Sequence, residues 1–151
     1  MEPSALRRGG ASWAPMSPPG AHRPPILSTR DALEVAVRFS ELLVDAADPP
    51  ALARWWGAAL GWPVTEDDDE GTEIAEPGGT GPKIVFVPVP EPKTVKNRLH
   101  IDLSPVGVTQ AEELRRLLGL GATLVDVGQP ETVSWIVLAD PEGNELCLLR
   151  G

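Results

Sequence analysis

The period of the apolar positions changes twice between residues 36 and 91, which predicts a strand, then a helix, then more strands. The segment Arg38–Asp45 predicts the first strand. Asp48 is a good N-cap, and the first helical turn tolerates the prolines that follow it, so a helix is predicted to start there and to end at Gly61. The apolar residues of this helix repeat at spacings of three and four and form one buried stripe. These are Leu52, Trp55, Trp56, Ala59 and Leu60.

Three more strands complete the first half of the pattern. Short strands are predicted at 62–66 and 72–75, and the acidic run between them is interpreted as a solvated hairpin turn. A loop rich in glycine and proline leads into a strong apolar strand at 83–89. The first half therefore has the order strand, helix, strand, strand, strand.

The second half repeats that order. A strand is predicted at 98–103, and Thr109 with Glu112 forms a capping box that starts the second helix. This helix should bury Ala111, Leu114, Leu117 and Leu118 and end near 119–121. Strands are then predicted at 122–127, 132–139 and 145–150. Landmarks such as Leu-Gly recur at an offset of roughly 60 residues, which indicates two copies of one βαβββ unit sharing a core.

The sequence therefore predicts an α+β protein with a defined domain organisation. Residues 1–35, rich in proline, glycine and alanine, are predicted to be a disordered tail, because such a segment buries too little apolar surface to offset its ordering entropy. Residues 36–151 form the domain, with modules at about 36–91 and 97–151 joined by the proline-rich stretch 88–92.

Composition excludes several function classes. The formal charge is -9, which argues against nucleic-acid backbones and anionic membranes as partners. No apolar stretch has the length of a signal peptide or a membrane span, and the chain has only one cysteine, so we expect a cytoplasmic protein. The sequence also lacks a phosphate-binding glycine loop, an HExxH motif and a Gly-x-Ser-x-Gly elbow.

The predicted strand at 98–103 carries the best candidate chemistry. Side chains alternate along a strand, so Leu99, Ile101 and Leu103 should face the core while the residues between them face the other side. The second set is polar and comprises Arg98, His100 and Asp102. Two interpretations stay open at this point: this face is wet and solvent-exposed, or it lines a cleft for a ligand or a metal.

Other residues have similar alternatives. Glu145 and Cys147 share a face of the last strand, where a solvated carboxylate and a small buried thiol are the simplest interpretations and a role in the same cleft is the other. Trp135 is either packed in the core or an aromatic wall for a ligand.

The repeated element order, the strand Asn97–Leu103, the turn Asp140–Cys147 and the stretches Asp45–Pro49 and Trp55–Trp62 resemble the glyoxalase-like branch of the vicinal oxygen chelate superfamily. The resemblance covers about residues 39–149. It implies two βαβββ modules that form a U-shaped, partly closed mixed sheet around a cleft, with the helices on the outside. Active members of the superfamily hold one divalent metal with four side chains, which come from the first and fourth strands of each module.

The resemblance assigns those four metal-ligand positions to residues of this chain. They fall near Glu41, on His100, near Phe86, which cannot coordinate, and on Cys147. Glu41, His100 and Cys147 would make three ligands, and a thiolate with an imidazole would favour zinc. The resemblance therefore implies either a zinc-like divalent metal at a degraded site or no metal.

The resemblance also implies the type of function. We expect a small oxygenated metabolite in the cleft, bound and in one version transformed by a lyase or isomerase reaction, with His100 and Glu41 catalytic. The expected substrate-binding residues are Arg98, Asp102, Phe86, Trp135 and Glu145. The alternative is a non-catalytic protein that sequesters a small molecule, as in bleomycin resistance. By analogy we expect a homodimer, and we expect no true glyoxalase I activity.

Overall fold

The computed structural model describes residues 37–151, so the predicted tail, residues 1–35, lies outside the described residues. The first module runs through five elements in chain order: β1 (Glu41–Ala46), α1 (Pro49–Leu60), β2 (Val64–Asp68), β3 (Gly71–Ile74) and β4 (Lys83–Pro88). The second module has the same order: β5 (Ile101–Leu103), α2 (Gln110–Leu120), β6 (Thr123–Leu124), β7 (Ile136–Ala139) and β8 (Glu145–Leu148).

The strands of each module form one four-stranded sheet. Sheet A has the order β1-β4-β3-β2 and sheet B the order β5-β8-β7-β6. In both sheets the first strand pairs in parallel with the fourth, and the remaining pairs are antiparallel. The predicted α+β fold of two βαβββ modules is therefore confirmed, with the sheet divided into two unclosed halves.

Both helices begin and end where the sequence predicts. The Asp48 side chain accepts a hydrogen bond from the Ala51 amide at 3.0 Å, and Gly61 ends α1 in the left-handed conformation. Thr109 and Glu112 form the predicted capping box, and Gly121 ends α2. These caps are formed by residues close together in the chain, so the local sequence predicts them.

The second module departs from its predicted strand lengths. β5 starts at Ile101 instead of Arg98, and β6, β7 and β8 are also shorter than predicted. Leu99 was expected under a helix but is 73% exposed, because the alternation of a strand does not extend to it. In α2 only Leu117 is fully buried, while Ala111 and Leu118 are exposed, since the short sheet B offers α2 a narrow surface.

One hydrophobic core joins the two modules. The indole rings of Trp55 and Trp56 lie edge to face at its centre, 5.3 Å apart, so the predicted packing role of this pair is confirmed. The other buried members come from both modules and are Ala46, Leu52, Ala53, Ile74, Phe86, Leu117, Ala122, Leu138, Leu146 and Leu148.

Hydrogen bonds also cross between the modules. Trp55 donates from its indole nitrogen to the Leu120 carbonyl at 3.1 Å. The Arg116 guanidinium of α2 donates to the carbonyls of Ala58 and Ala59 near the end of α1, where helix carbonyls lack partners. The modules are thus fixed to each other by directed contacts as well as by apolar burial.

Candidate functional site

A cavity of about 470 Å³ lies between the two modules. One wall is β1, and the opposite wall is formed by Ile101 and the turn 140–145. The segment 91–99, which we call the strap, lines the cavity along its whole length. Its volume is within the range of about 300–1,000 Å³ typical of small-molecule sites.

The turn that begins at Asp140 and forms one wall of the cavity is held in place by hydrogen bonds. Asp140 is 2% exposed, and its carboxylate accepts hydrogen bonds from the Trp56 indole nitrogen at 3.0 Å and from the amides of Glu142 and Asn144. The Asn144 side chain donates to it as well. Because these donors occupy both oxygens, Asp140 positions the turn instead of offering a carboxylate to a ligand.

The two glutamates of this wall are also engaged within the protein. Glu142 accepts hydrogen bonds from the amides of Ala47 and Asp48, at 2.8 and 2.9 Å, just before α1. Glu145 accepts from Lys93 Nζ at 2.8 Å and from the Asn97 amide at 2.9 Å, and so ties the strap to β8. Burial alone raises the pKa of Glu145, but the hydrogen bonds from Lys93 and from backbone amides outweigh it and lower the pKa.

The cationic side chains of the strap are placed differently. Arg98 is exposed, lines the cavity, and makes no hydrogen bond or ion pair with any residue in the range 37–151. Lys96 also lines the cavity, and its Nζ atom lies 2.7 Å from Nε2 of His100. The cavity therefore offers two cationic groups, one of which is supported by an imidazole.

A second polar group lies on sheet B, on the face opposite the core residues Ile101 and Leu103. Asp102 and Cys147 are register partners there. The pKa of Cys147 is raised, first by burial and then by the charge and hydrogen bond of Asp102, while Lys96 opposes the shift. Burial and the neighbouring carboxylate disfavour the thiolate, so the thiol is a poor nucleophile.

The residues that the resemblance implied as metal ligands do not fit a divalent metal. Glu41 opens β1 and pairs in register with Lys83 on sheet A. Across residues 37–151 no three His, Cys, Asp or Glu side chains are grouped so that they could hold a metal ion. In addition, the ammonium of Lys96 contacts Nε2 of His100, one of the two ring nitrogens that could ligate a metal.

The predicted substrate-binding residues divide among four places. Arg98 and Glu145 line the intermodule cavity. Asp102 contacts Cys147, and Phe86 is fully buried in the core. Trp135 lines a different pocket, beside β6 and β7. Sequence reasoning missed Lys93, Lys96 and Glu142; two lysines three residues apart in an acidic chain were the available signal for the first two.

Two βαβββ modules with a cavity of small-molecule size between them define the class of glyoxalase-like folds. The sequence profile described as "Glyoxalase-like domain" matches residues 41–149, and the chain belongs to this family. Solved structures of similar fold include a protein described as a member of the glyoxalase/bleomycin resistance protein/dioxygenase family. No curated protein matches its sequence.

Three solved structures illustrate the likeness. An enzyme of the glyoxalase/bleomycin resistance protein/dioxygenase family from Burkholderia phytofirmans PsJN is 18% identical, with a TM-score of 0.55 over 74% of this chain and 97% of its own. The fosfomycin resistance protein FosX from Mesorhizobium loti is 15% identical, with a TM-score of 0.55 over 76% and 91%. A bleomycin-binding protein complexed with bleomycin is 17% identical, with a TM-score of 0.51 over 76% and 99%. At these identities the likeness shows the fold.

Neither helix in residues 37–151 has the length and apolar character needed to cross a bilayer.

Proposed function

We propose that this protein binds a small hydroxycarboxylic acid in the cavity between its modules, and that binding rather than metal-assisted catalysis is its function. The observation that carries the proposal is the difference between the charged groups of the cavity. The carboxylates of Asp140, Glu142 and Glu145 are bonded within the protein. Among residues 37–151, Arg98 has no bonded partner, and neither have the carboxylates of Asp45 and Glu91, which also line the cavity. Arg98 is therefore available to form a bidentate pair with a ligand carboxylate.

Two further features support a ligand that also carries hydroxyl groups. Asp45 and Glu91 line the cavity and are exposed, so they can accept hydrogen bonds from hydroxyl donors. Apolar side chains such as Leu42 and Leu43 line the same wall and can contact a short carbon chain. One structural neighbour is a bleomycin-binding protein complexed with bleomycin, which supports small-molecule binding as a use of this fold.

We favour binding over the lyase or isomerase reaction because of the contact between Lys96 and His100. A general base needs an available lone pair within reach of the substrate proton. In this structure the Nε2 lone pair of His100 faces the ammonium of Lys96, and His100 does not line the cavity. Glu41, the other expected catalytic residue, does not line it either.

The proposal is tested by calorimetric titration of the protein with matched probes. The acids glycolate, L-lactate, D-tartrate and D-gluconate are compared with the corresponding neutral polyols. We expect at least one acid to bind and the corresponding polyol to bind far more weakly. Arg98→Gln should lower the affinity for the acid about tenfold or more, as expected for the loss of a charge-assisted pair. Arg54→Gln, an exposed arginine of α1, is the control and should leave the affinity unchanged.

Equal binding of acid and polyol, or equal affinity of the Arg98→Gln and Arg54→Gln variants, would contradict the proposal. Proton NMR of the bound acid in heavy water tests the alternative enzyme function at the same time. Solvent deuterium appearing at the carbon next to the carboxylate would show proton abstraction, and would replace a binding function with a lyase or isomerase. We expect none, and we likewise expect no turnover of methylglyoxal with glutathione.

We also propose a cytoplasmic homodimer. Large apolar side chains remain exposed outside the cavity, among them Phe39 at 68% and Val106 at 90%. A second copy of the chain would cover such residues. Light scattering during gel filtration tests this proposal, and a monomeric mass at micromolar protein would contradict it.

A further inference from the structure

A second pocket lies at the β6–β7 end of sheet B. It has a volume of about 570 Å³ and is formed by β6, β7 and the loop between them. It shares no lining residue with the intermodule cavity. The two pockets are therefore separate.

The wall of this pocket is apolar and includes an accessible aromatic ring. Trp135 is 40% exposed and Leu124 is 62% exposed. Val125, Val133 and Val137 complete the wall. Accessible indole and aliphatic surface of this kind favours a ligand with an apolar body.

The rim of the pocket carries one sign of charge. Asp126 and Glu131 line it, and no Lys, Arg or His side chain of the described range does. Glu131 has no hydrogen-bond or ion-pair partner within residues 37–151, and Asp126 uses one oxygen to accept from the Gly128 amide at 2.8 Å. Carboxylates and an indole ring that line the same pocket can provide two attractions for a cation: direct charge pairing and cation–π contact.

The loop that carries these residues is held in place by its own hydrogen bonds. The Gln129 side chain accepts from the Val127 amide at 2.8 Å, and the Val133 amide donates to the Pro130 carbonyl at 3.2 Å. Next to the loop, the Val125 amide donates to the Val137 carbonyl of β7. The pocket is therefore preformed, which lowers the ordering cost of binding.

We propose that this pocket is a second binding site, which takes a small organic cation with an apolar body, such as a protonated or quaternary amine. The ammonium lies between the carboxylates of Asp126 and Glu131 and against the Trp135 ring. The apolar body packs on the valine wall. An anion of the same size is excluded by the two carboxylates.

The test is calorimetric titration of the full chain with benzyltrimethylammonium, compared with phenylacetate and benzyl alcohol as anionic and neutral probes of similar shape. We expect binding of the cation only, weakened by added sodium chloride because the attraction is electrostatic. Trp135→Ala should weaken binding about fivefold or more, Trp135→Phe less, and Glu131→Gln about two- to fivefold. Asp126→Asn, which keeps the acceptor for Gly128, should resemble Glu131→Gln.

Glu70→Gln is the matched control, because it neutralises an exposed carboxylate that lines neither pocket and should leave affinity for the cation unchanged. Three results would overturn the proposal: no binding of benzyltrimethylammonium, phenylacetate binding as tightly as the cation, or a folded Trp135→Ala variant with unchanged affinity. Circular dichroism confirms the folding of each variant, and Trp135 is exposed enough for its substitution to be tolerated.

Discussion

The Nζ atom of Lys96 lies 2.7 Å from Nε2 of His100, so the one histidine in the described part of the chain is bonded to a cation. An ammonium group has donors and no acceptor, so Nε2 must accept this hydrogen bond and the ring proton of the neutral imidazole must be on Nδ1. This contact explains why neither metal ligation nor base catalysis by His100 enters the proposed function.

The tautomer of His100 is the first prediction. Long-range proton–nitrogen NMR spectra should show the neutral ring protonated on Nδ1, and Lys96→Met should lose this preference. His100→Gln assigns the signal. Lys93→Met is the control, because that lysine bonds to Glu145 instead. Protonation on Nε2 in the unaltered protein would contradict the observed contact.

The stability of the domain should depend strongly on Asp140. Asp140→Ala removes the acceptor of the buried Trp56 indole and of the turn amides, so urea unfolding should show a loss of at least about 3 kcal/mol. Asp140→Asn keeps some of these hydrogen bonds, and its free energy of unfolding should fall by about 1–2 kcal/mol. Asp126→Ala removes an exposed turn acceptor and should cost less than about 1 kcal/mol. Similar losses in Asp140→Ala and Asp126→Ala would show that Asp140 does not hold the modules together.

The pH dependence of stability should report the pair of Glu73 and Lys83, 2.8 Å apart on sheet A. Burial raises the pKa of Glu73, but hydrogen bonds from Lys83 and Thr65 outweigh it, and the pKa is lowered from 4.5. The unfolded chain therefore binds the proton more readily, so this carboxylate stabilises the fold above its ordinary pKa and stops doing so as the pH falls through the lower folded-state value.

Glu73→Gln should accordingly be less stable than the unaltered protein above about pH 5, with the difference vanishing in acid. Free energies of unfolding from urea titrations between pH 7 and pH 2.5 measure this difference. Glu70→Gln, at an exposed carboxylate with no bonded partner among residues 37–151, is the control. A difference between Glu73→Gln and the unaltered protein that stays constant with pH would refute the role assigned to the pair.

Two helical glycines should respond oppositely to alanine. A Cβ at Gly57 would lie 2.6 Å from the Trp62 carbonyl oxygen, whereas a Cβ at Gly119 would meet nothing within 4 Å. Alanine is the better helix former by up to about 1 kcal/mol, so Gly119→Ala should stabilise α2 by about 0.5 kcal/mol or more. Gly57→Ala should destabilise by about 1–3 kcal/mol because the backbone must shift. Thermal unfolding compares them, and a gain in both would contradict the contact at Gly57.

The elements of the first module were predictable because their signals are local. The stripe of α1 and the caps at Asp48 and Gly61 lie within one stretch of sequence, and the structure has them as predicted. The prediction that Arg98–His100 belong to a strand was wrong, for a physical reason. The Asn97 amide bonds to the carboxylate of Glu145, 48 residues away, instead of to a neighbouring strand.

The candidate site was predictable only in its residue types. The sequence indicated that Arg98, His100 and Glu145 belong to a polar region, and the structure places Arg98 and Glu145 at one cavity and His100 against Lys96. Phe86 shows the limit of position-by-position transfer. A strand position gives the face of a side chain only when the register is known, and Phe86 faces the core.

The sequence by itself determined the repeated βαβββ order, the helix ends and the family, because periodicity and capping depend on residues a few positions apart. Only the tertiary structure decided which charges are neutralised within the protein and which remain for a ligand. That distinction depends on the path of the strap between β4 and β5 and on partners such as Lys93 and Glu145, which are 52 residues apart in sequence. Such distant pairs are brought together by the shared core, so no local pattern in the sequence encodes them.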